Sequence, residues 1–216
     1  MIYGSVNVEV LARVPRTARR ILDVGCGNGA LARTIRSEWP AELVGITYSA
    51  AEADLGRDVF AQVHVADLNQ FDPAPLGRFD VIICSHVLEH LSHPDELLRR
   101  LRPALNPGGL LLVALPNILF WRQRLLFLRG HFRYTQGGLM DDTHFRFFDW
   151  QTATELLTGS GYELVERRAF GAWPGSRILG AAGKPLDRWA SSAWPGLFGW
   201  QFVFLARLAA GAPATS

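Results

Sequence analysis

Short apolar runs alternate with amphipathic segments along the first 116 residues. The runs are four to seven residues long, as buried strands are, whereas Leu97, Leu98, Leu101 and Leu105 recur at helical spacing. The predicted strands are Arg20–Val24, Leu43–Thr47, Val63–Ala66, Phe79–Ser85 and Leu110–Leu115. The predicted helices are Ala30–Trp39, Ala50–Phe60 and Pro94–Leu105, with a turn at Asn106–Gly109.

Nearly continuous apolar strands separated by helices predict an α/β fold with a doubly wound, mostly parallel sheet covered on both faces. The pattern changes after Pro116, where residues 117–150 become rich in aromatic residues and arginine. Further on, the pattern predicts a helix at Trp150–Ser160, a strand at Tyr162–Arg167, an irregular insert at 171–199 and a closing strand at Phe202–Ala206.

No segment is long and polar enough to separate two domains, so we expect a single domain over 1–216. Within it, residues 1–116 form a ligand-binding half, residues 117–150 a lid insertion and residues 151–216 the distal half of the sheet.

Composition excludes several classes of protein. Hydrophobic residues make up 49% of the chain and charged residues 19%, a globular balance. The net charge of +2 is too small to indicate a nucleic-acid partner. Cys26 and Cys84 are far apart, which favours reduced thiols in a cytoplasmic protein.

The sequence pattern predicts neither a signal peptide nor a membrane span. The N-terminal residues lack an apolar signal-peptide core. The apolar segment 194–211 is interrupted by glycines, Gln201 and Arg207, so it predicts a buried strand with flanking turns rather than a membrane span. A contact with a membrane surface stays open.

The stretch ILDVGCGNGAL (21–31) places three glycines at the predicted turn between the first strand and the first helix. Gly25, Gly27 and Gly29 would let a ligand approach the backbone closely, and the amides opening the helix would face a polar group. Asp23, at the end of the strand, would accept from an ammonium group. The alternative is a tight turn between packed elements.

ILDVGCGNG resembles the first motif of the class I S-adenosylmethionine-dependent methyltransferases. The resemblance continues through HVADL (64–68), FDVIICSHVLEHL (79–91) and LRPALNPGGLLLVALPN (101–117), and THFRFFDWQTATELLTGSGYELVE (143–166) is similar to the distal half of that family. The start YGSVNVEVLARVP and the stretch GLMDDTHFRFF resemble small methyltransferases of polysaccharide and natural-product clusters. LPNILFWRQRLLFLRG and WPGLFGWQFVFLAR are similar to the MetW family of methionine biosynthesis.

The resemblance implies a seven-stranded Rossmann-like sheet and S-adenosylmethionine as cofactor. Its methionine moiety would lie on the glycine loop, and its ribose would meet the end of the second strand. Thr47 stands there in place of the usual acidic residue, and its single hydroxyl predicts weaker binding of the ribose. Tyr48 would pack against the adenine or the ribose. The implied methionine-site residues are Asp23, Gly25, Cys26, Gly27 and Gly29.

Two further segments complete the implied cofactor site. Asp67 would accept from the adenine amino group beside Leu68, or alternatively cap a turn. Ser85 and His86 end the fourth strand facing the methyl donor. His90 follows in the LEHL motif with Glu89, where both residues are typical of a structural helix start; a catalytic base at His90 is the less favoured alternative.

The acceptor side is predicted within 117–148. His144 is the candidate base, Asp141 or Asp142 would orient its imidazole, and Arg146 would hold an anionic or polyhydroxyl acceptor. Alternatively, His144 and Arg146 only tie the lid to the sheet by hydrogen bonds. Weaker candidates are His131 and Tyr134 for the base, and Asn117 for closing the cofactor site. No cluster has metal-ligand spacing, so no metal is expected.

Basic residues precede this stretch, at Trp121–Arg133. They would suit a nucleotide- or lipid-linked sugar, or are simply solvated on an amphipathic cap.

Three functions follow. The leading hypothesis is methyl transfer from S-adenosylmethionine to an oxygen of a sugar or natural-product acceptor. The second is a MetW-like non-catalytic partner that supports an acyltransferase, a reading to which Thr47 adds weight. The third, an NAD-dependent enzyme, is disfavoured because position 47 carries no acid. The oligomeric state is not predicted.

Overall fold

The computed structural model describes residues 6–210. The first residues of the segment YGSVNVEVLARVP and the six C-terminal residues lie outside this range. The strands are β1 (Arg20–Val24), β2 (Glu42–Thr47), β3 (Gln62–Val65), β4 (Phe79–Ser85), β5 (Leu105–Pro116), β6 (Tyr162–Gly171) and β7 (Gly199–Leu208).

Helices cover the sheet and fill part of the distal half. They are α1 (Val8–Leu11), α2 (Ala30–Glu38), α3 (Ala50–Gly56), α4 (Pro94–Leu101), α5 (Trp121–Leu128), α6 (Trp150–Gly159), α7 (Ser176–Leu179), α8 (Lys184–Ala193) and α9 (Pro195–Phe198). Single 3₁₀ turns lie at Ala74–Leu76, Leu88–His90, Arg102–Ala104 and Gly180–Gly183.

The strands form one seven-stranded sheet in the order β3-β2-β1-β4-β5-β7-β6. The first five pair in parallel, and β7 lies antiparallel between β5 and β6. The strand order reverses between β1 and β4, and ligands of such sheets bind at the carboxyl edge beside that point. The predicted doubly wound, mostly parallel sheet is therefore confirmed.

Two apolar layers hold the helices on the sheet. Alternation along β1 sends Leu22 and Val24 into the layer beneath α4 and α6, and Ile21 into the layer beneath α2. The α4 helix carries its buried leucines on one side and has acidic residues in its first turn and arginines in its last, which suits the helix dipole.

Several boundaries differ from the prediction. The α4 helix ends at Leu101 instead of Leu105, because Pro103 has no N–H to continue the ladder and starts a 3₁₀ turn. The predicted turn at Asn106–Gly109 lies inside β5 as a bulge: Phe79 pairs with Leu105, but Val81 pairs with Leu110. The α3 helix ends at Gly56, four residues before Phe60.

The segment 171–199 was predicted to be irregular, and that prediction is wrong. It contains α7, α8 and α9, and α8 packs against β6. The missed signal is Pro185 near the start of α8, followed by the small residues Ala190 and Ser191 on its buried side. The predicted strands at the end of the chain are confirmed, each longer than expected. In the described part, no helix is sufficiently long and apolar to span a bilayer.

Asn117 ties the antiparallel part of the sheet to the parallel part. Its fully buried amide donates to the carbonyls of Gly196 and Gly199 at 3.1 and 2.7 Å, and its oxygen accepts from the N–H of Leu119 at 3.0 Å. These bonds give it a structural role where the sequence suggested closure of the cofactor site.

We expect Asn117→Ala to lower the free energy of unfolding by about 2–4 kcal/mol, because three backbone groups lose their partner on the fully buried Asn117 side chain. Thermal and urea unfolding measure the change. Gln136→Ala, at an exposed position, is the control and should leave stability within about 0.5 kcal/mol. A similar melting temperature for both variants would contradict the assigned role.

Candidate active site

The glycine loop lies at the carboxyl edge of β1, beside the point where the strand order reverses. Gly25 has φ of +74°, and a Cβ there would lie 2.2 Å from Val87 Cγ2. Gly29 starts α2 in the left-handed conformation and faces Val59 and Phe60. Packing against neighbouring elements therefore already requires bare backbone at both positions, as the tight-turn alternative proposed. The same loop leaves the first amides of α2 at this edge.

Asp23 is the buried carboxylate at the end of β1. Its side chain makes no hydrogen bond to the residues described, and burial raises its pKa to about 7. An ammonium group brought to this carboxylate would favour its ionised form. The geometry thus fits the predicted contact with the methionine moiety.

Two buried thiols flank Asp23. Cys26 and Cys84 are both free, and burial, with the Asp23 charge as the next contribution, raises the pKa of each well above its usual range. Both are therefore protonated, unreactive thiols that pack in the core.

Thr47 ends β2, and its hydroxyl is 2.8 Å from Glu52 Oε2. Glu52 lies in the first turn of α3, where its N–H donates to the Ser49 side chain at 3.4 Å, and its side chain is buried. A buried carboxylate thus contacts the Thr47 side chain from a position five residues later in the chain. The sequence analysis missed it, although the Ser49-to-Glu52 spacing of a helix N-terminus marks the position.

Tyr48 and Asp67 lie at the ends of β2 and β3, with different surroundings. Tyr48 is 81% exposed, so its ring is accessible to a ligand. Asp67 Oδ1 accepts from the backbone and side-chain nitrogens of Asn69 at 2.9 Å, which is the turn cap foreseen as the alternative. Leu68 beside it is buried in the core. The adenine contacts of Asp67 and Leu68 stay predictions.

Ser85 and His86 end β4 inside a hydrogen-bond network. Asn7 uses its Oδ1 to accept from the first amides of α1, so its Nδ2 donates to Gln201 Oε1 at 3.0 Å and to Ser85 Oγ at 3.3 Å. His86 has φ of +55°, a strained conformation for a non-glycine residue. Asn7 and Gln201 were not singled out from the sequence.

This network assigns a proton to the His86–Glu89 pair. Gln201 Oε1 can only accept, so His86 Nε2, at 3.0 Å, carries a hydrogen. His86 Nδ1 lies 3.2 Å from Glu89 Oε1 and shares a second proton with it. Burial would lower the pKa of His86, but the bonds to Glu89 and Gln201 outweigh it and leave the pKa above its usual value. These contacts favour the protonated form of His86 beside the buried carboxylate.

His90 and His144 meet beside the same carboxylate. Their ring centroids are 4.8 Å apart, and nitrogens of both lie within 4.8 Å of a Glu89 oxygen. Burial lowers the pKa of His144, with the Glu89 charge opposing it, so the imidazole is neutral at pH 7. The structure thus brings together His86, His90 and His144, which the sequence placed in separate roles.

Asp141 supports this cluster through Thr143. Its Oδ1 accepts from the Thr143 hydroxyl at 2.6 Å and N–H at 2.9 Å, and the Thr143 hydroxyl lies 3.0 Å from His90 Nδ1. Burial alone would raise the pKa of Asp141, but these bonds hold it below its usual value. Asp142 is exposed. Glu89 is the carboxylate whose charge acts most strongly on the His144 pKa, and the Asp141 charge acts in the same direction.

Arg146 binds the backbone in this structure. Its guanidinium donates to the Ser92 carbonyl through Nε at 3.0 Å and Nη2 at 2.8 Å. The N–H groups of Phe145 and Arg146 donate to the Glu89 carbonyl, so residues 143–146 are held against the turn after β4. The alternative in which Arg146 only ties this segment to the sheet by hydrogen bonds accounts for these contacts. The lid role of residues 117–150 stays a prediction.

The comparisons with known proteins agree with this geometry. A family described as "Methyltransferase domain" matches residues 6–167. The chain therefore belongs to this family, and with the fold described above it is a class I S-adenosylmethionine-dependent methyltransferase domain whose cofactor is S-adenosylmethionine.

Two curated relatives and one solved structure illustrate the likeness. A ubiquinone biosynthesis O-methyltransferase of a Caulobacter species is 34% identical over 49% of this chain and 44% of its own. A trans-aconitate 2-methyltransferase of Methylobacterium nodulans is 36% identical over 51% of this chain and 44% of its own. The chain thus spans less than half the length of these relatives. A SAM-dependent methyltransferase from Archaeoglobus fulgidus superposes with a TM-score of 0.64 at 18% identity, over 88% of this chain and 86% of that one.

We expect Asp23→Asn to raise stability and weaken S-adenosylmethionine binding. The folded-state pKa lies above the unfolded value, so ionising Asp23 costs stability as pH rises from about 4 to 7. The variant should gain about 1–4 kcal/mol in unfolding free energy at pH 8 and lose at least about tenfold in affinity. Thermal melts and calorimetric titration measure both. A variant that melts earlier than the parent would contradict the proposed cost of this charge.

The same carboxylate predicts a pH dependence of cofactor binding. Affinity should rise from pH 6 to pH 8 as Asp23 ionises, and the rise should vanish in Asp23→Asn. Titrations at four pH values in one buffer series test this. An unchanged pH dependence in the variant would assign the titration to another group.

We expect Glu52→Gln to weaken S-adenosylmethionine binding by about tenfold, because a neutral amide accepts more weakly from ribose hydroxyls than a carboxylate does. Glu42→Gln, on the exposed start of β2, is the matched control and should bind as the parent does. Equal affinities for all three proteins would contradict a contact between Glu52 and the ribose.

Proposed function

We propose that this chain transfers the methyl group of S-adenosylmethionine to a hydroxyl oxygen of a polar small molecule, a sugar or a natural product. The observation that carries the proposal is a cavity of about 990 Å³ lined mainly by residues of β6, α8 and the start of β7. Its volume falls within the range of small-molecule sites.

The cavity reaches the methyl-transfer edge through two residues of β7. Trp200 and Gln201 line it, and both contact His86: the Trp200 ring stacks on the imidazole at 6.0 Å between centroids, and Gln201 accepts from it. Since β7 runs antiparallel to β5, its first residues lie at the carboxyl edge where ligands bind. An acceptor in this cavity would therefore lie next to the cofactor.

The charges of the cavity favour a polar acceptor. Arg13 pairs with Glu9 and Glu166, whereas Lys184 and Arg188 on α8 add positive charge without a salt bridge among the described residues. Mixed charged side chains of this kind hydrogen-bond hydroxyl, carboxylate or phosphate groups. The name of the Caulobacter relative, an O-methyltransferase, supports oxygen as the acceptor atom.

The cofactor supplies an electrophilic methyl group on a sulfonium. The chain aligns the acceptor oxygen with it and removes the hydroxyl proton, which we assign to the cluster of Glu89, His90 and His144, with His144 as the base. Asp141 positions His90 through Thr143, and Arg146 holds this segment against Ser92.

The second hypothesis, a MetW-like non-catalytic partner of an acyltransferase, was supported by Thr47 in place of the usual acidic residue. The carboxylate of Glu52 beside Thr47 weakens this argument, and no other described contact favours the alternative.

Transfer of a labelled methyl group tests the proposal. Purified chain with methyl-labelled S-adenosylmethionine should label acceptors in a panel of sugars, sugar nucleotides and phenols, and the label should resist alkali, as an ether does. An alkali-labile label would mean a carboxylate ester instead. Binding of NADH without binding of S-adenosylmethionine would overturn the proposal.

We expect His144→Ala to lower kcat by about 100-fold while the affinity for S-adenosylmethionine stays unchanged. His93→Ala removes an exposed histidine that caps α4 only through its backbone and is the matched control. Full turnover in His144→Ala on a true acceptor would contradict the assignment.

A further inference from the structure

The turn after β4 and the segment 141–146 bring three metal-ligating side chains together. Glu89, His90 and His144 each offer one ligand atom, and these atoms lie within 4.8 Å of one another. Glu89 and His90 are adjacent in sequence and His144 follows 54 residues after His90, so the convergence of the three is a property of the tertiary structure.

Two atoms in this cluster lack the partners that burial demands. Glu89 is 1% exposed, and its Oε2 makes no hydrogen bond among the described residues. His144 Nδ1 is likewise buried without a partner. A buried carboxylate oxygen and a buried imidazole nitrogen without partners are each costly, and a cation bound by Glu89 and His144 through these atoms would satisfy both.

The contacts around His90 orient its ring as they would in a metal ligand. Its Nδ1 lies 3.2 Å from the Thr143 carbonyl and 3.0 Å from the Thr143 hydroxyl, which in turn donates to Asp141. A ligating histidine ordinarily donates its second nitrogen to a carbonyl or carboxylate in this way, which fixes the tautomer and leaves the other nitrogen's lone pair for the ion.

We propose that Glu89, His90 and His144 bind a divalent transition-metal ion of the zinc type. Two imidazoles and one carboxylate form the ligand set of open zinc sites, in which a fourth position takes water or substrate. Ligand atoms of a tetrahedral zinc ion lie about 3.4 Å apart, so the side chains close by about 1 Å on binding. The set disfavours magnesium and calcium, which prefer oxygen ligands.

This inference rests on the proposed function for its chemical role. The ion takes the acceptor hydroxyl at its open position and promotes its ionisation, the proton leaving to solvent water. The acceptor oxygen then forms its bond to the methyl carbon as the carbon–sulfur bond breaks. When the ion is bound, His144 would serve as a ligand and the ion would activate the hydroxyl; in the metal-free chain His144 keeps the role of base.

Metal binding is measured first, without any acceptor. After treatment with a chelator and its removal, the chain should bind one Zn²⁺ per protein in a calorimetric titration. Co²⁺ at the same site should give the visible absorption bands of a low-coordinate nitrogen- and oxygen-ligated ion. His144→Ala and Glu89→Gln should each weaken Zn²⁺ binding about tenfold or more, whereas His93→Ala should not change it.

Absence of Zn²⁺ binding, or equal binding by the parent, His144→Ala and Glu89→Gln, would overturn the inference. Circular dichroism verifies that each variant folds, and His90→Ala replaces Glu89→Gln if loss of the buried carboxylate prevents folding. S-adenosylmethionine is titrated against the same metal-free protein. Loss of that binding would count against the proposed function, whereas failure of Zn²⁺ alone would leave His144 as the base.

Discussion

The carboxylate of Glu89 is the charge around which the functional edge is organised. It is almost fully buried, and a buried carboxylate persists only if protons or cations compensate it. His86 provides that compensation on one side, which holds the strained end of β4 and links it to Gln201 and α1. On the other side the carboxylate faces His144, while the Glu89 carbonyl accepts the amides of Phe145 and Arg146. Glu89 thus joins the end of β4 to residues 144–146.

A second buried carboxylate, Asp23, illustrates how a binding site costs stability. Its raised pKa shows that the folded chain prefers it neutral, whereas a cationic ligand prefers it ionised. A cationic ligand at this carboxylate would supply the partner that the folded chain lacks. Glu52 is another buried carboxylate at the neighbouring strand, and its Oε2 accepts a hydrogen bond from the Thr47 hydroxyl.

Local patterning predicted most of the sheet. Apolar runs such as FDVIICS became β4 without change of boundary, and the glycine loop fell at the turn where it was expected. The errors lie where a local signal was weak or ambiguous: α8 was hidden in a segment rich in glycine and tryptophan, and the NPGG stretch became a bulge within β5 because the strand resumes on its far side. The signal that α8 carries, Pro185 and the small residues of its buried side, lacks the repeated leucines that mark α4.

The sequence by itself determined the parallel sheet, the position of the cofactor loop and the resemblance to a methyltransferase, because hydrophobic periodicity and glycine spacing are local properties. Only the tertiary structure decided which distant side chains share a site. Three contacts join residues that are far apart in the chain. His144 lies beside Glu89 and His90, Asn7 donates to Gln201, and the Arg146 guanidinium donates to the Ser92 carbonyl. Such contacts depend on how the segment after β5 folds back over the sheet, and no spacing along a single sequence encodes that path.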